Sequence, residues 1–312
     1  IREHTVKLQG IPLCVNIATV EFAILDMLGN IVGKPVGQLI GEIHNSEIAY
    51  YQSSRFNELR QLPPEESIQL VKQDLLKTKA KAIKIRAGHH QNNKFNTSYY
   101  PPGRTEKLIS LARKEFGDEM VMMIDANGSY TIEEAIRLGK ILEEYNFLFF
   151  EEPVPWNYRE ETKEVKDSLK IPVSSGEEEF DMHAFRWLIG HDAVDIVQPD
   201  LFYFGGIIRS MKVARMAAVL GKTIVPHQTE WGLGYVYLLN FISACPNAGP
   251  YHESYHEFDL AATKDANGNR IPVESKTGPF VTENGRVKLL NGPGLGVVID
   301  PDFVKIHKPV SA

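Results

Sequence analysis

Asp125, Glu151 and Glu177 constrain this chain more than any other feature. Each closes a short apolar run, VMMIDA (121–126), FLFFEE (147–152) and IPVSSGE (171–177), and they stand 26 residues apart, first to second and second to third. That interval is one strand plus one helix. Two of the gaps carry helix-period patterns, so the spacing predicts parallel strands delivering three carboxylates to one rim of a sheet. A single acid at a strand end means little in an α/β protein, whereas three in register make a divalent-cation site. Oxygen ligands without Cys or His favour Mg²⁺, or Mn²⁺, over zinc and leave positions open for water or substrate.

With 312 residues the chain can bury one large core with a small appendage. A net charge of -6 and dispersed Lys and Arg give no footprint for nucleic acid. No apolar run is expected to reach the roughly 20 residues that span a bilayer, and IREHTVKLQG lacks the apolar region of a signal peptide. The expectation is a soluble, cytoplasmic homo-oligomer with no membrane or nucleic-acid partner. Cys14 and Cys245 are too few for a disulfide framework and read as reduced, buried, small apolar residues.

The stretch 17–41 reads as a helix with Val20, Ala23, Ile24 and Met27 on its apolar side, ended by Gly29-Asn30 and followed by a short apolar segment. A strand-helix rhythm begins at residue 46. Its strand cores end near Ser54, Arg86, Asp125, Glu151, Glu177, Asp200, His227 and Glu253, and eight is the number that closes a parallel (β/α) barrel. Pro63-Pro64-Glu65-Glu66 starts one helix, Thr131 to Glu134 forms a capping box, and 206–221 runs from a glycine pair to Gly221. Turn dipeptides Asn267-Gly268, Asn284-Gly285 and Gly292-Pro293 mark 265–300 as irregular β structure outside the barrel.

The C-terminal rim of such a barrel holds the active site, which makes strand-end residues candidates by position. Lys84 and Arg86 alternate on the second strand and point the same way, two cations opposite three acids; ion pairing with those acids is their structural reading. Asp200 and His227 end consecutive strands, where a carboxylate can fix an imidazole's tautomer and raise its basicity. His89, His90, His183, His191 and His256 have no such placement and read as structural or exposed. Glu253 completes the circuit, with a rim salt bridge as its structural alternative. Gln52, Ser53, Ser54 and Arg55 would form a polar rim suited to a polyhydroxylated substrate.

These residues resemble the enolase superfamily, in its mandelate-racemase-like subgroup. The likeness rests on IKIR (83–86), IDANGSY (124–130), FEEPVP (150–155), PVSSGEE (172–178), QPDLFYFGG (198–206), VPHQTE (225–230) and HES (252–254). It implies a modified (β/α)8 barrel, (β/α)7β, over 46–262, a remnant of an α+β capping domain over 1–45 whose last helix is 17–28, and a segment, 263–312, returning to the cap. Asp125, Glu151 and Glu177 would bind Mg²⁺, and His227 with Asp200 would be the acid/base dyad. Lys84 and Arg86 would face it across the substrate, Glu253 would hydrogen-bond the substrate carboxylate, and Asn127 and Glu152 would lie just outside the ligands.

Arg86 stands where racemases of this subgroup have a lysine base, and an arginine is a poor proton acceptor. A further branch uses a lysine on the sixth strand, which DLFYFGG (200–206) lacks. The implied reaction is removal of the proton α to a carboxylate through an ene-diolate, with dehydration of a sugar acid to a 2-keto-3-deoxy acid as the favoured outcome. Cycloisomerisation of a lactone or anhydro-sugar acid comes second and racemisation or epimerisation third. A catalytically silent binding protein is the non-enzyme alternative.

Overall fold

The structure, a computed structural model, describes residues 9–53, 62–88, 102–229, 231–254, 260, 263–264, 268–278, 280 and 282–306. The barrel strands are β1 (Glu47–Ser53), β2 (Ala82–Arg86), β3 (Val121–Asp125), β4 (Phe150–Glu151), β5 (Val173–Ser175), β6 (Ile196–Val197), β7 (Thr223–Ile224) and β8 (His252–Ser254). They run in chain order and all pair in parallel, with β8 returning to β1. The seam between β7 and β8 is closed by a parallel bridge from Ile224 to Ala248, just ahead of β8. This is the α/β barrel that the strand count predicts.

Helices α3 (Pro64–Thr78), α4 (Arg104–Phe116), α5 (Ile132–Glu144), α6 (Arg159–Ser168), α7 (Met182–Gly190), α8 (Ile207–Val219) and α9 (Leu233–Ser243) lie between successive strands. Thr131 and Glu134 form the reciprocal capping box expected at the start of α5. The barrel interior follows from strand alternation. On β2, Ile83 and Ile85 turn outward to pack with Ile68, Leu108 and Ile109 of the helices, while Ala82 turns inward to a layer with Tyr51, Met123, Phe149, Ile196 and Val225. Lys84 and Arg86 share Ala82's side, one and two steps nearer the C-terminal rim.

Three expectations about the first helix are corrected. The first helix, α1, is Ile11–Val32 and runs through Gly29-Asn30 to end at Gly33, whose φ is 69°. Gly29 is not a terminator; a Cβ there would lie 2.6 Å from the Gly294 Cα, so the glycine admits the returning chain. The predicted apolar stripe is also misplaced: Val20, Ile24 and Met27 are 45 to 52% exposed, and Leu13, Cys14, Ala18, Leu25 and Gly29 make the buried face. Finally, α1 is long and apolar enough to cross a membrane by length and composition, against the expectation that no run approaches that length. Those two properties alone are weak evidence of a span, and Glu21 and Asp26 of α1 are engaged in contacts with the rest of the fold.

The short α2 (Val36–Ile40) follows α1. The late segment forms β9 (Val273–Ser275), β10 (Thr282–Glu283), β11 (Arg286–Lys288) and β12 (Val297–Ile299), then α10 (Pro301–Ile306). The expectation of β structure wholly outside the barrel fails for β11, which pairs antiparallel with Glu47–Ala49 of β1. The turn joining β10 and β11 is Asn284-Gly285, with φ of 51° and 76°, as that dipeptide favours. Leu295 N–H donates to Asp26 and Lys276 Nζ to Asn30, tying the segment to α1. Cys14 and Cys245 are buried and free.

Candidate active site

Parallel register builds one layer of the site. Arg86 pairs with Asp125 and Asp125 with Glu151, so three neighbouring strands present their side chains at the same height inside the barrel. Asp125 and Glu151 are fully buried. Glu177 reaches them from two residues beyond β5, past Gly176, whose φ of 127° turns the chain inward. Ligand atoms of Asp125, Glu151 and Glu177 all lie within 4.8 Å of one another, and one oxygen each of Glu151 and Glu177 has no hydrogen-bond partner among the described residues. Buried carboxylates this close repel, and a divalent cation satisfies both the charge and the unpaired oxygens. The donor set fits Mg²⁺.

Glu177, Asp200 and His227 do not sit on strand ends as expected but on the loops just beyond them. Pro199 and Pro226 explain two of these offsets, because a residue without an N–H cannot continue the ladder. Asp200 opens a turn and its Oδ1 accepts from the N–H groups of Phe202 (2.8 Å) and Tyr203 (2.9 Å). Its Oδ2 lies 3.0 Å from His227 Nδ1 and accepts from Thr229 Oγ1 at 2.9 Å. A carboxylate at Nδ1 makes that nitrogen the donor and leaves Nε2 as the basic position. Nε2 is 3.5 Å from Glu177 and 4.0 Å from Glu253.

Lys84 and Arg86 contact the acids directly, the structural reading of the two cations. Lys84 Nζ is 2.7 Å from Glu151 and 2.8 Å from Glu253, and Arg86 pairs with Asp125 and lies 3.7 Å from Glu253. Glu253 therefore stands between the cations and His227, and its Oε2 also accepts from the Gln228 N–H. Tyr51 places its ring 5.3 Å from the Lys84 ammonium.

The electrostatics follow from burial among unlike charges. Burial alone would lower the Lys84 pKa, but Glu151 and Glu253 hold it well above the usual lysine range. Burial would raise Glu253, yet Lys84, His227 and Arg86 bring it down to about 2. Burial depresses His227, but Glu177 and the Asp200 hydrogen bond outweigh it and push the imidazole up. Glu152 is raised well above the carboxylate range by burial beside Glu177 and Glu178.

Asn127, at φ 43°, does more than adjoin the ligands: its Nδ2 donates to both Asp125 and Glu177, and its Oδ1 accepts from Arg86. Sequence reasoning missed Thr229, Gln228, Tyr51 and the second acidic group formed by Glu152, Glu177 and Glu178. The Asp-Leu-Phe-Tyr stretch did carry a readable signal, since an aspartate favours bonding the N–H two residues on. His183 and His191 are exposed, His191 stacked on Trp187. Gln52 and Ser53 are buried on β1, whereas Ser54, Arg55, His89, His90 and His256 lie outside the described residues.

A parallel barrel with acids, cations and an Asp-His pair on its C-terminal rim defines a class, and the profile of the family described as enolase C-terminal domain-like matches residues 67–303. The chain belongs to that family. It is 28% identical over 300 residues to arabinonate dehydratase of Saccharolobus solfataricus, covering 96% of this chain and 74% of that protein. It is 33% identical over 196 residues to D-galactarolactone cycloisomerase of Agrobacterium fabrum, covering 63% and 51%. Among solved structures it superposes on the mandelate racemase/muconate lactonizing protein from Paracoccus denitrificans complexed with magnesium, with a TM-score of 0.82, 27% identity and coverage of 96% and 77%.

Proposed function

We propose that this protein is a Mg²⁺-dependent enzyme that removes the proton α to the carboxylate of a sugar acid and expels the β-hydroxyl, giving a 2-keto-3-deoxy acid. One observation carries the reading: the His227 Nε2, oriented through Asp200, lies 3.5 Å from an oxygen of the three-acid cluster. A base thus flanks a cation site. The similarity to a sugar-acid dehydratase and to a magnesium-bound structure supports it.

Asp125, Glu151 and Glu177 would hold the Mg²⁺, which supplies Lewis-acid stabilisation of the charge that develops on the substrate carboxylate. A cation held there would offset the Glu177 charge that raises His227, and the imidazole, held through Nδ1 by Asp200, would present Nε2 to accept a proton. His227 Nε2 takes the α-proton as the C–H bond breaks. Asp200 stabilises the resulting imidazolium, which then returns that proton to the departing β-hydroxyl, so that water leaves and the enol tautomerises to the ketone. Lys84 and Arg86 are fixed positive charges aimed at the developing dianion.

Arg86 stays protonated, which disfavours a two-base racemase. Cycloisomerisation, favoured by the likeness to D-galactarolactone cycloisomerase, is the second reading; it uses the same proton abstraction and expels a ring oxygen. A panel of aldonic, aldaric and uronic acids and their lactones, incubated with Mg²⁺ and scored for 2-keto acid, separates the two. His227→Asn should lose roughly 10²–10⁴ in rate with Mg²⁺ still bound. Activity within a few-fold of wild type would remove His227 from the mechanism.

A further inference from the structure

The Asp200 carboxylate is placed largely by its own loop. Two of its four hydrogen-bond contacts among the described residues are the N–H groups of Phe202 and Tyr203, so the path of 201–206 sets where the carboxylate points and hence how His227 is turned. That loop is braced from outside the barrel. Phe22 of α1 sits edge-on to Tyr237 of α9 at 4.8 Å, and Phe202 lies 6.5 Å from Phe22 and 5.9 Å from Tyr237. Rings from α1 and α9 thus close on the loop's own Phe202.

A polar pair completes the contact. The Tyr237 hydroxyl accepts from the Ile207 N–H at 3.1 Å and donates to Glu21 at 2.8 Å, and Glu21 also accepts from the Ile208 N–H at 3.2 Å. Ile207 and Ile208 open α8 where the Asp200 loop ends, so two N–H groups with no partner inside the helix are satisfied by α1 and α9. Gly206, at φ 107°, leaves room for this, since a Cβ there would collide with the Glu21 carboxylate. Burial and the neighbouring Glu21 raise the Tyr237 phenol, which keeps its proton to donate.

We infer that Glu21 and Tyr237 are positioning residues for the Asp200–His227 pair, clamping the end of the Asp200 loop to α1 and α9. The inference rests on the proton-abstraction reading above. Tyr237→Phe keeps the ring and removes only the hydroxyl. On an acid that the wild type turns over, its kcat should fall roughly 10- to 100-fold while KM and Mg²⁺ affinity hold. Glu21→Ala should reproduce the loss, and Glu21→Gln, which retains an acceptor oxygen, should recover most of it. In an Asp200→Asn background Tyr237→Phe should add nothing further, because it acts through Asp200.

Tyr237→Phe activity within twofold of wild type, full additivity with Asp200→Asn, or a loss that follows weakened Mg²⁺ binding would each overturn the inference. Should Tyr237→Phe fail to fold, the Glu21→Ala and Glu21→Gln pair decides on the same criteria. A wild type inactive on every acid and lactone tested would instead strike the functional reading. The clamp is then judged without substrate by the NMR resonance of the His227 Nδ1 proton: a shift in Tyr237→Phe supports it, and an unmoved resonance overturns it.

Discussion

On the proposed reading, Arg86 is the residue that separates elimination from epimerisation. Its guanidinium pairs with Asp125, donates to Asn127 at 3.1 Å and lies 3.7 Å from Glu253, contacts that a planar, many-donor group makes and an ammonium cannot make together. Arg86→Lys should therefore slow dehydration by about ten- to a hundredfold, the loss of one or two charged hydrogen bonds. It should also introduce α-proton exchange from the face opposite His227, read by NMR in D₂O. An unmutated protein that interconverts α-epimers without releasing water would replace the dehydratase reading with an epimerase using Lys84. Glu177 tests the cation site separately: Glu177→Gln should weaken Mg²⁺ binding more than about tenfold by calorimetry, and an unchanged affinity would end the assignment.

At the scale of elements, α1 shows what local pattern misses. Gly-Asn reads as a helix stop, yet Gly29 is interior and packed on the Gly294 backbone. In an open helix Gly→Ala gains up to about 1 kcal/mol. Gly29→Ala should instead destabilise by about 1–3 kcal/mol in urea unfolding, because rigid backbone stands in the methyl's path. A second test concerns the loop between α7 and β6. Asp192, at φ 56°, bonds Lys166 of α6 and Lys222 beside β7, and these lysines draw its pKa down from 3.8 to about 2. A depressed carboxylate contributes stability that is present above pH 3.8 and lost as pH falls through about 2. Asp192→Asn, which tolerates the same backbone, should lower the Tm slightly at pH 7. The gap should narrow as pH falls from 3.8 towards 2; a gap constant with pH would deny the ion pairs their role.

For the whole molecule, the cation and the fold should be linked. The three acids come from separate strands and loops, so only the folded chain gathers them, and a ligand bound only there adds stability by mass action. Mg²⁺ at a hundred times its Kd should add about 2.7 kcal/mol and raise the Tm, with chelation reversing the change. A Tm indifferent to millimolar Mg²⁺ and to chelator would contradict a site at Asp125, Glu151 and Glu177.

Much of the barrel could be read from the chain because its information is local and periodic. Alternation on β2 put Lys84 and Arg86 on one side, the 26-residue interval placed Asp125, Glu151 and Glu177 on one rim, and a Thr-x-x-Glu box started α5. Contacts between distant segments carried no such signature. Whether the two cations would face the acids or pair with them, how Asn127 would bridge two ligands, and that β11 would join β1 depended on side chains converging from separate strands. The course of α1 was likewise decided by its neighbours, since Gly294 and α8 determine which of its faces is buried and why its interior glycine is there. Sequence spacing sets the height and side of a residue on its own strand, but the partner it meets there is chosen only when the sheet closes.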